Sequence, residues 1–461
     1  MTPHAAPDFP DHRSKVLAWR GLILGVIAQL FFTIVIAGPA FLIPHLRTDK
    51  GFTLAEAGMA GTSTSVGMVI TLVAWGALAD RRGERLALSL GLLLCSVATA
   101  GGFALAVAGL LDSLLPLVLV LALAGGIGAS VNTATGRVVA GWFPRHQRGT
   151  AMGIRQMAQP LGTAVAAVLV PPLAALWGIP GFFAVTSVLC LLIGIGCVLG
   201  VVDPPRPGRR ELTVPDPDGA AAVEAAEPET GRAVGAGQMA GGGQVPVAGR
   251  NAGVGPGNGG RNSAGTSAVV NPYREDSFLW RIHAVSALLV VPQITFATFG
   301  LVWLIDTQDL SAQTAGLLVG AAQLAGAFAR LAMGGASDRA PSRVIVLRWV
   351  AWAAALLTGS VAVVSLGVLP VVAGVLFALA SAASVADNGL AFTSIAEASG
   401  SRWSGKAMGI QNTGQHLLSA GVGPGVGALI ATLGYPLALG CVAVFPVVAS
   451  FLVPERDLER S

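Results

Sequence analysis

Charge is what this sequence has least of. Lys, Arg, Asp and Glu make up 11% of its 461 residues, where a soluble globular chain carries about 25%. A chain so poor in charge cannot cover its surface with groups that seek water, so most of that surface must face something apolar. The net charge of +4 is small and sits mainly in loops, so it reports orientation in a bilayer and excludes a nucleic-acid partner. Cysteine is scarce as well. Cys95, Cys190, Cys197 and Cys441 lie inside apolar runs without metal-ligand spacing, which leaves them as small buried hydrophobes and gives no disulfide framework and no metal site. A phosphate-binding loop is missing, so ATP cannot power work directly on this chain. No catalytic constellation or cofactor motif is found, and the chain is not expected to be an enzyme.

What the sequence does have is apolar length. A helix needs about 20 mostly apolar residues to cross a bilayer. Six such runs, 19–45, 54–79, 86–110, 114–142, 149–177 and 180–202, precede six more, 278–305, 311–337, 344–366, 369–395, 404–433 and 435–453. The first run far exceeds the 7–15 apolar residues of a cleavable signal and reads as a retained span. Tight hairpins are expected at 110–114 and 366–369, with Pro116 and Pro370 starting the next helices. Residues 203–277 are rich in Gly, Ala, Pro and acids and nearly free of aromatics. Such a stretch cannot bury enough apolar surface to offset chain entropy and is expected to be a disordered linker. The organisation expected is a tail (1–18), a six-helix bundle (19–202), the linker (203–277), a second bundle (278–453) and a tail (454–461).

Basic residues are strongly asymmetric. One side of the membrane holds Arg13, Lys15, Arg81, Arg82, Arg85, Arg145, Arg148, Arg339, Arg343, Arg402, Lys406, Arg456 and Arg460, together with the arginines of the linker, and the other holds Arg47 and Lys50. The positive-inside rule then puts both termini and the linker in the cytoplasm of a cell-membrane protein.

The halves repeat each other. Arg148-Gly-Thr-Ala-Met-Gly-Ile154 matches Ser404-Gly-Lys-Ala-Met-Gly-Ile410 at an offset of 256, where Asn132 also meets Asn388 and Gln159 meets Gln415. Gly76 and Asp80 meet Gly334 and Asp338 at 258, and Trp19-Arg20 meets Trp280-Arg281 at 261. Nearly constant offsets at separate places indicate duplication, with a site between the halves near the midplane. The fold class expected is therefore an all-α integral membrane protein, twelve transmembrane helices in two pseudo-symmetric bundles.

The loop after the second run reads Gly76-Ala-Leu-Ala-Asp80-Arg81-Arg82-Gly83-Glu84-Arg85. It resembles the signature loop of the major facilitator superfamily of secondary carriers, with Glu84 where a basic residue is usual. The second copy keeps Gly334, Asp338 and Arg339 but has Pro341 in place of the later glycine. The resemblance implies that Gly76, Asp80, Arg81, Gly83, Gly334, Asp338 and Arg339 latch the cytoplasmic ends of the two halves, with Arg137 of span four beside Asp80. Trp142-Phe-Pro followed by Arg148-Gly-x-Ala-x-Gly-Ile154 is similar to a phrase in monocarboxylate, oxalate–formate and nitrate carriers. The nitrate group's Gly-Asn signature is missing. Span five, Ala167-Val-Leu-Val-Pro171-Pro172, lacks the Gly-Pro phrase of drug–proton antiporters.

Polar groups inside the spans mark the candidate site, because an ionisable group in hydrocarbon is costly and faces a cavity. They are Arg330 and Gln323 in span eight, Arg155 and Gln159 in span five, Gln411, Gln415 and His416 in span eleven, Asp387 and Asn388 in span ten, Asn132 in span four, and Gln29 and Gln293 in spans one and seven. Glutamines and asparagines at such depth also serve as interhelical glue, and Arg155 is also placed to reach the cytoplasmic edge. Arg330 lies eight residues before Asp338, about 12 Å into the membrane. A guanidinium there needs an anionic partner and fits a carboxylate with two parallel bonds. Similarity to monocarboxylate carriers implies substrate binding by an arginine at this place. Asp387 is expected to pair with Arg330 in the empty site and to take a proton when substrate displaces it. The function expected is alternating-access transport of a small organic anion by a monomer, through proton coupling or exchange. The alternative is proton-driven export of drugs or secondary metabolites.

Overall fold

In hydrocarbon every backbone N–H and C=O must find its partner within the protein, and an apolar segment does this as a helix. The computed structural model describes residues 12–143, 145–203, 271–340, 342–367 and 370–458, and among these it is helical and turn-forming throughout. The linker expected at 203–277 falls almost wholly outside the described residues.

Among the described residues, ten helices are long and apolar enough to cross a membrane. Two of them, Ala151–Gly200 and Lys406–Leu452, run 50 and 47 residues, twice what a bilayer needs. Each reverses at a glycine in the left-handed region, Gly178 with φ 62° and Gly434 with φ 75°, a conformation that other residues adopt only under strain. Ten helices thus make twelve crossings. Span one is His12–Phe41, continued after a break by Ile43–Thr48; span two is Leu54–Arg82 and span three Glu84–Val107. Span four is split into Leu114–Gly128 and Ser130–Trp142, and spans five and six share Arg145–Gly200. Spans seven, eight and nine are Phe278–Gln308, Ala312–Arg339 and Arg343–Val364. Span ten is split into Pro370–Val385 and a second segment that begins at Asp387, within bounds that also take in spans eleven and twelve and end at Leu452.

The duplication extends to details of capping. Thr53 caps span two in a reciprocal box, accepting the N–H of Glu56 at 3.3 Å while the Glu56 carboxylate accepts the N–H of Thr53 at 2.9 Å. Ser311, 258 positions later, caps span eight by accepting the N–H of Thr314 at 3.2 Å. The breaks in spans four and ten fall at Ala129 and Ala386, 257 positions apart.

Packing differs between the two faces of the membrane. Away from the termini one apolar cluster joins both halves, with Phe41, Leu46 and Phe182 against Phe296, Phe299 and Trp303. Towards the termini the described clusters separate. One belongs to the first half, with Phe32, Met68 and Leu92, and another to the second, with Ile282, Leu347 and Leu390. Small residues allow the close approach on the far side, as is usual between helices in lipid. A Cβ on Gly316 of span eight would meet the backbone of Ala167 in span five, and one on Gly427 of span eleven would lie 2.8 Å from Ala55 of span two. Arg47 and Asp306 add an ion pair at 2.6 Å between spans one and seven, and the Tyr435 hydroxyl donates to the same carboxylate at 3.0 Å. Among the described residues the apolar clusters of the halves thus join on the far side and separate towards the face that carries the termini.

Candidate functional site

The seam between the halves is where the polar residues gather. Gly326 brings span eight against span ten, since a Cβ there would lie 2.8 Å from Val385. One turn later Arg330, half-buried, donates through Nε to the carbonyl of Val385 at 3.1 Å. The first segment of span ten ends at Val385, and the last carbonyls of a helix have no donor within it. Arg330 supplies one. Its Nη1 donates across the seam to the carbonyl of Gln156 in span five, at 3.3 Å.

Asp387 opens the second segment of span ten, where the helix dipole favours a negative charge. It is 1% exposed, and neither carboxylate oxygen has a hydrogen-bond partner among the described residues. Arg330 is within electrostatic reach of it, with no hydrogen bond between the two side chains among the described residues. Span four repeats the arrangement in milder form. Ser130 follows the break at Ala129, and its hydroxyl is also buried and unpartnered among the described residues.

The first half presents its own arginine next to this contact. Arg155 is half-buried and has weak partners, the Met152 thioether at 3.2 Å from Nε and the Thr135 hydroxyl at 3.4 Å from Nη1. Gly136 gives it room, with a built Cβ 4.0 Å from its guanidinium carbon. Gln159 lies half-buried one turn further along span five.

The second half presents amides. Gln415 donates to the Ser286 hydroxyl at 2.8 Å and to the Asn388 side-chain oxygen at 3.0 Å, and Asn388 donates to Gln293 at 3.2 Å. One turn towards the termini, the Gln411 oxygen lies 2.7 Å from Nδ1 of His283, whose Nε2 is 2.9 Å from the Tyr273 hydroxyl. Spans seven, ten and eleven thus share one polar seam. His416 stands half-buried outside this hydrogen-bonded set, as does Asn132 in the first half. Gln323 is buried two turns above Arg330. Gln29 is buried with both amide atoms unpartnered among the described residues.

Two residues escaped the reading of the sequence. His283 is an ionisable group inside an apolar run, and the rule that marks His416 marks it equally. Glu84 departs from the signature loop, and its role is not visible in the sequence. It is 3% exposed and its Oε1 lies 3.2 Å from Nε of Arg137, the residue expected beside Asp80. Gly76 and Arg81 belong to the last turns of span two, and Gly83, with φ 108°, separates it from span three. The side chains of Asp80, Gly334, Asp338 and Arg339 lie outside the described residues.

Residues 23–424 match the family profile of the Major Facilitator Superfamily. An uncharacterised transporter of that type from Mycobacterium tuberculosis is 39% identical over 440 residues, 94% of this chain and 84% of the relative. Shorter similarities reach a probable L-galactonate transporter of Escherichia coli, 30% identical over 33% of this chain and 32% of that one, and a hexuronate transporter of Bacillus subtilis, 28% identical over 33% and 34%. Among solved structures, a bacterial homologue of the human lysosomal transporter Spinster, inward-facing and occupied, superposes with a TM-score of 0.67 at 15% identity, covering 96% of each chain. A D-xylose–proton symporter superposes with a TM-score of 0.68 at 15% identity, covering 96% of this chain and 98% of that one. At such identity the structures speak for the fold alone.

Proposed function

The chain belongs to the major facilitator superfamily of multi-pass membrane transporters, and from that premise we propose that it carries a small organic anion by alternating access of the seam to the two sides of the membrane. The observation that carries the reading is a pair of half-buried arginines, Arg330 and Arg155, one from each half, neither of which is hydrogen-bonded to a carboxylate among the described residues. A guanidinium stays charged at any working pH, so a seam with two of them favours an anion. Arg330 keeps donors of its planar fork beyond the two bonds to carbonyls, and a carboxylate is the group that fork matches bidentately.

The amides of Gln415, Asn388 and Gln293 face the same seam and can exchange donors and acceptors with hydroxyl groups. Charge on one side and amides on the other suit a hydroxylated carboxylate. The partial similarity to transporters named for galactonate and hexuronate supports that substrate class. Asp387 is the acid placed to carry a proton when substrate holds Arg330, which gives symport with protons or exchange of one anion for another. The protein works as a monomer in the cell membrane, with both termini in the cytoplasm.

The test is uptake of galactonate, glucuronate and lactate into proteoliposomes with and without a pH gradient, by the parent and by Arg330→Gln and Arg330→Lys. The parent takes up at least one of the three. Gln reduces its binding by about tenfold to a hundredfold, the worth of a charge-assisted hydrogen bond, and Lys falls between. If Arg330→Gln binds the anion as the parent does, the carboxylate site is elsewhere. If no anion moves while apolar cations do, the exporter reading replaces this one.

A further inference from the structure

Outside the seam, a groove of about 760 Å³ opens between the start of span one and the end of span six. Its floor is apolar, with Ile23, Leu24, Gly196 and Leu199, and its end near the termini carries Lys15, Trp19 and Arg20. Helical spacing puts Lys15, Trp19 and Ile23 on one face of span one, in line along the groove. The two glycines of span six make the concavity. Gly200 lets Leu24 lie against the backbone, and a Cβ on Gly196 would meet nothing nearer than Ile193 at 3.8 Å and Leu24 at 3.9 Å. Lys15 and Arg20 are exposed, and neither has an acidic partner among the described residues.

The duplicated half supplies an internal comparison. Trp280-Arg281 is the counterpart of Trp19-Arg20. There Arg281 donates to the last carbonyls of span twelve, Leu452 at 2.9 Å and Val453 at 3.2 Å. Tyr273 packs edge-on against Trp280, ring centroids 5.1 Å apart. In the first half the end of span six is served from elsewhere, by the Trp142 indole to Val202 at 3.0 Å and by Arg85 to Val198 at 2.6 Å. Arg20 is thereby left at the mouth of an open groove, where its counterpart is occupied.

We propose that this groove binds one phospholipid with an anionic head group, drawn from the leaflet on the side of the termini. The acyl chain lies along Ile23, Gly196 and Leu199, and the phosphate meets Arg20 and Lys15. Arginine's fork matches phosphate oxygens, tryptophan prefers the level of the head groups, and a basic residue near a membrane surface attracts anionic lipid. The proposal needs the chain to sit in a bilayer and is independent of what it transports.

The experiment uses the full chain in detergent with equimolar dioleoyl-phosphatidylglycerol and dioleoyl-phosphatidylcholine, and counts retained lipid by native mass spectrometry. One phosphatidylglycerol is expected to survive activation that strips phosphatidylcholine. Removing both charges, Lys15→Gln with Arg20→Gln, lowers its retention by about fivefold per residue. Gly196→Leu fills the groove with all charges intact and also lowers it, whereas Arg13→Gln, on the same helix but off the groove, does not. In the parent protein, a phosphatidylglycerol with a photoreactive acyl chain labels the segment around Gly196 and Leu199, which needs no variant. Equal retention of the two lipids, an unchanged Gly196→Leu, an equal loss in Arg13→Gln, or labelling spread evenly around the bundle would each overturn the proposal.

Discussion

Gly58 of span two and Gly423 of span eleven touch through their backbones: a Cβ on Gly58 would lie 2.5 Å from the Gly423 carbonyl oxygen, and one on Gly423 would strike the carbonyl of Gly58. The Thr62 hydroxyl bridges the same place, 3.2 Å from the Gly58 carbonyl and 3.3 Å from that of Ala420. This contact between halves lies on the far side of the seam, the side that is shut. A larger residue there must push the halves apart. Overpacking costs about 1–3 kcal/mol, enough to move a two-state equilibrium by about fivefold to a hundredfold. Gly423→Val is therefore expected to open the far side. Thr298, 3% exposed and packed against Gly61, reports the change as Thr298→Cys in a Cys441→Ser background. An impermeant maleimide should label it at least about fivefold faster in the valine variant. Labelling at the parent rate would show that the glycine contact does not hold this side shut.

Two helix starts are capped from far away in the chain. Asp203, just beyond span six, accepts the N–H of Arg85 at 2.7 Å. Asp457, just beyond span twelve, accepts those of Arg343 at 2.8 Å and Val344 at 3.1 Å. Neither Gly83 nor Ser342, the residues in the cap positions, makes a side-chain cap, so each half ties its last helix to its third through one carboxylate. Loss of a cap costs about 0.5–2 kcal/mol. Asp203→Ala and Asp457→Ala should each lower the melting temperature in detergent, with additive effects because the sites are far apart. Melting curves that overlay the parent would rule out a structural role for these carboxylates.

The duplication was legible because it is carried by short phrases at near-constant offset, and the seam because buried polar residues are rare enough in apolar runs to stand out. The breaks at Ala129 and Ala386 were not. Pro marks neither, Gly128 beside the first is one of many glycines in the spans, and a broken helix in hydrocarbon shows itself through what satisfies its ends, here Arg330 on the carbonyl of Val385. For the same reason the carbonyls that Arg330 meets beside Asp387 could not be read from charge. Caps such as Asp203 and Asp457 are invisible to local reading, since the acceptor lies more than 100 residues from the donor.

Orientation rests on the distribution of basic residues. On the far side Arg47 pairs with Asp306 at 2.6 Å and Lys50 with Asp112 at 2.6 Å, so its two basic residues are neutralised locally and do not compete with the arginines on the side of the termini. Reporter fusions after Asp112 and after Gly219 should accordingly read outside and inside. The same reading from both would refute the twelve-span topology.

Asp387 is the sharpest case, because its burial has no structural beneficiary in view. A buried acid without hydrogen-bond partners is costly when charged, and proteins keep such groups where function uses them. Ser130, the first residue after the break in span four, carries no charge at the matching place in the first half. The carboxylate is the addition peculiar to the second half, beside the arginine proposed to hold the substrate. If Asp387 carries the coupling proton, Asp387→Asn keeps the shape and the neutral form but cannot release a proton. Anion exchange between loaded vesicles and medium, which needs no net proton movement, should then continue within about twofold of the parent. Accumulation driven by a pH gradient should disappear, and a mutant that exchanges without accumulating has lost coupling and not binding. Gradient-driven accumulation surviving in Asp387→Asn would remove the proton role. Loss of both exchange and accumulation, with unchanged thermal stability, would instead place Asp387 among the residues that hold Arg330 in position.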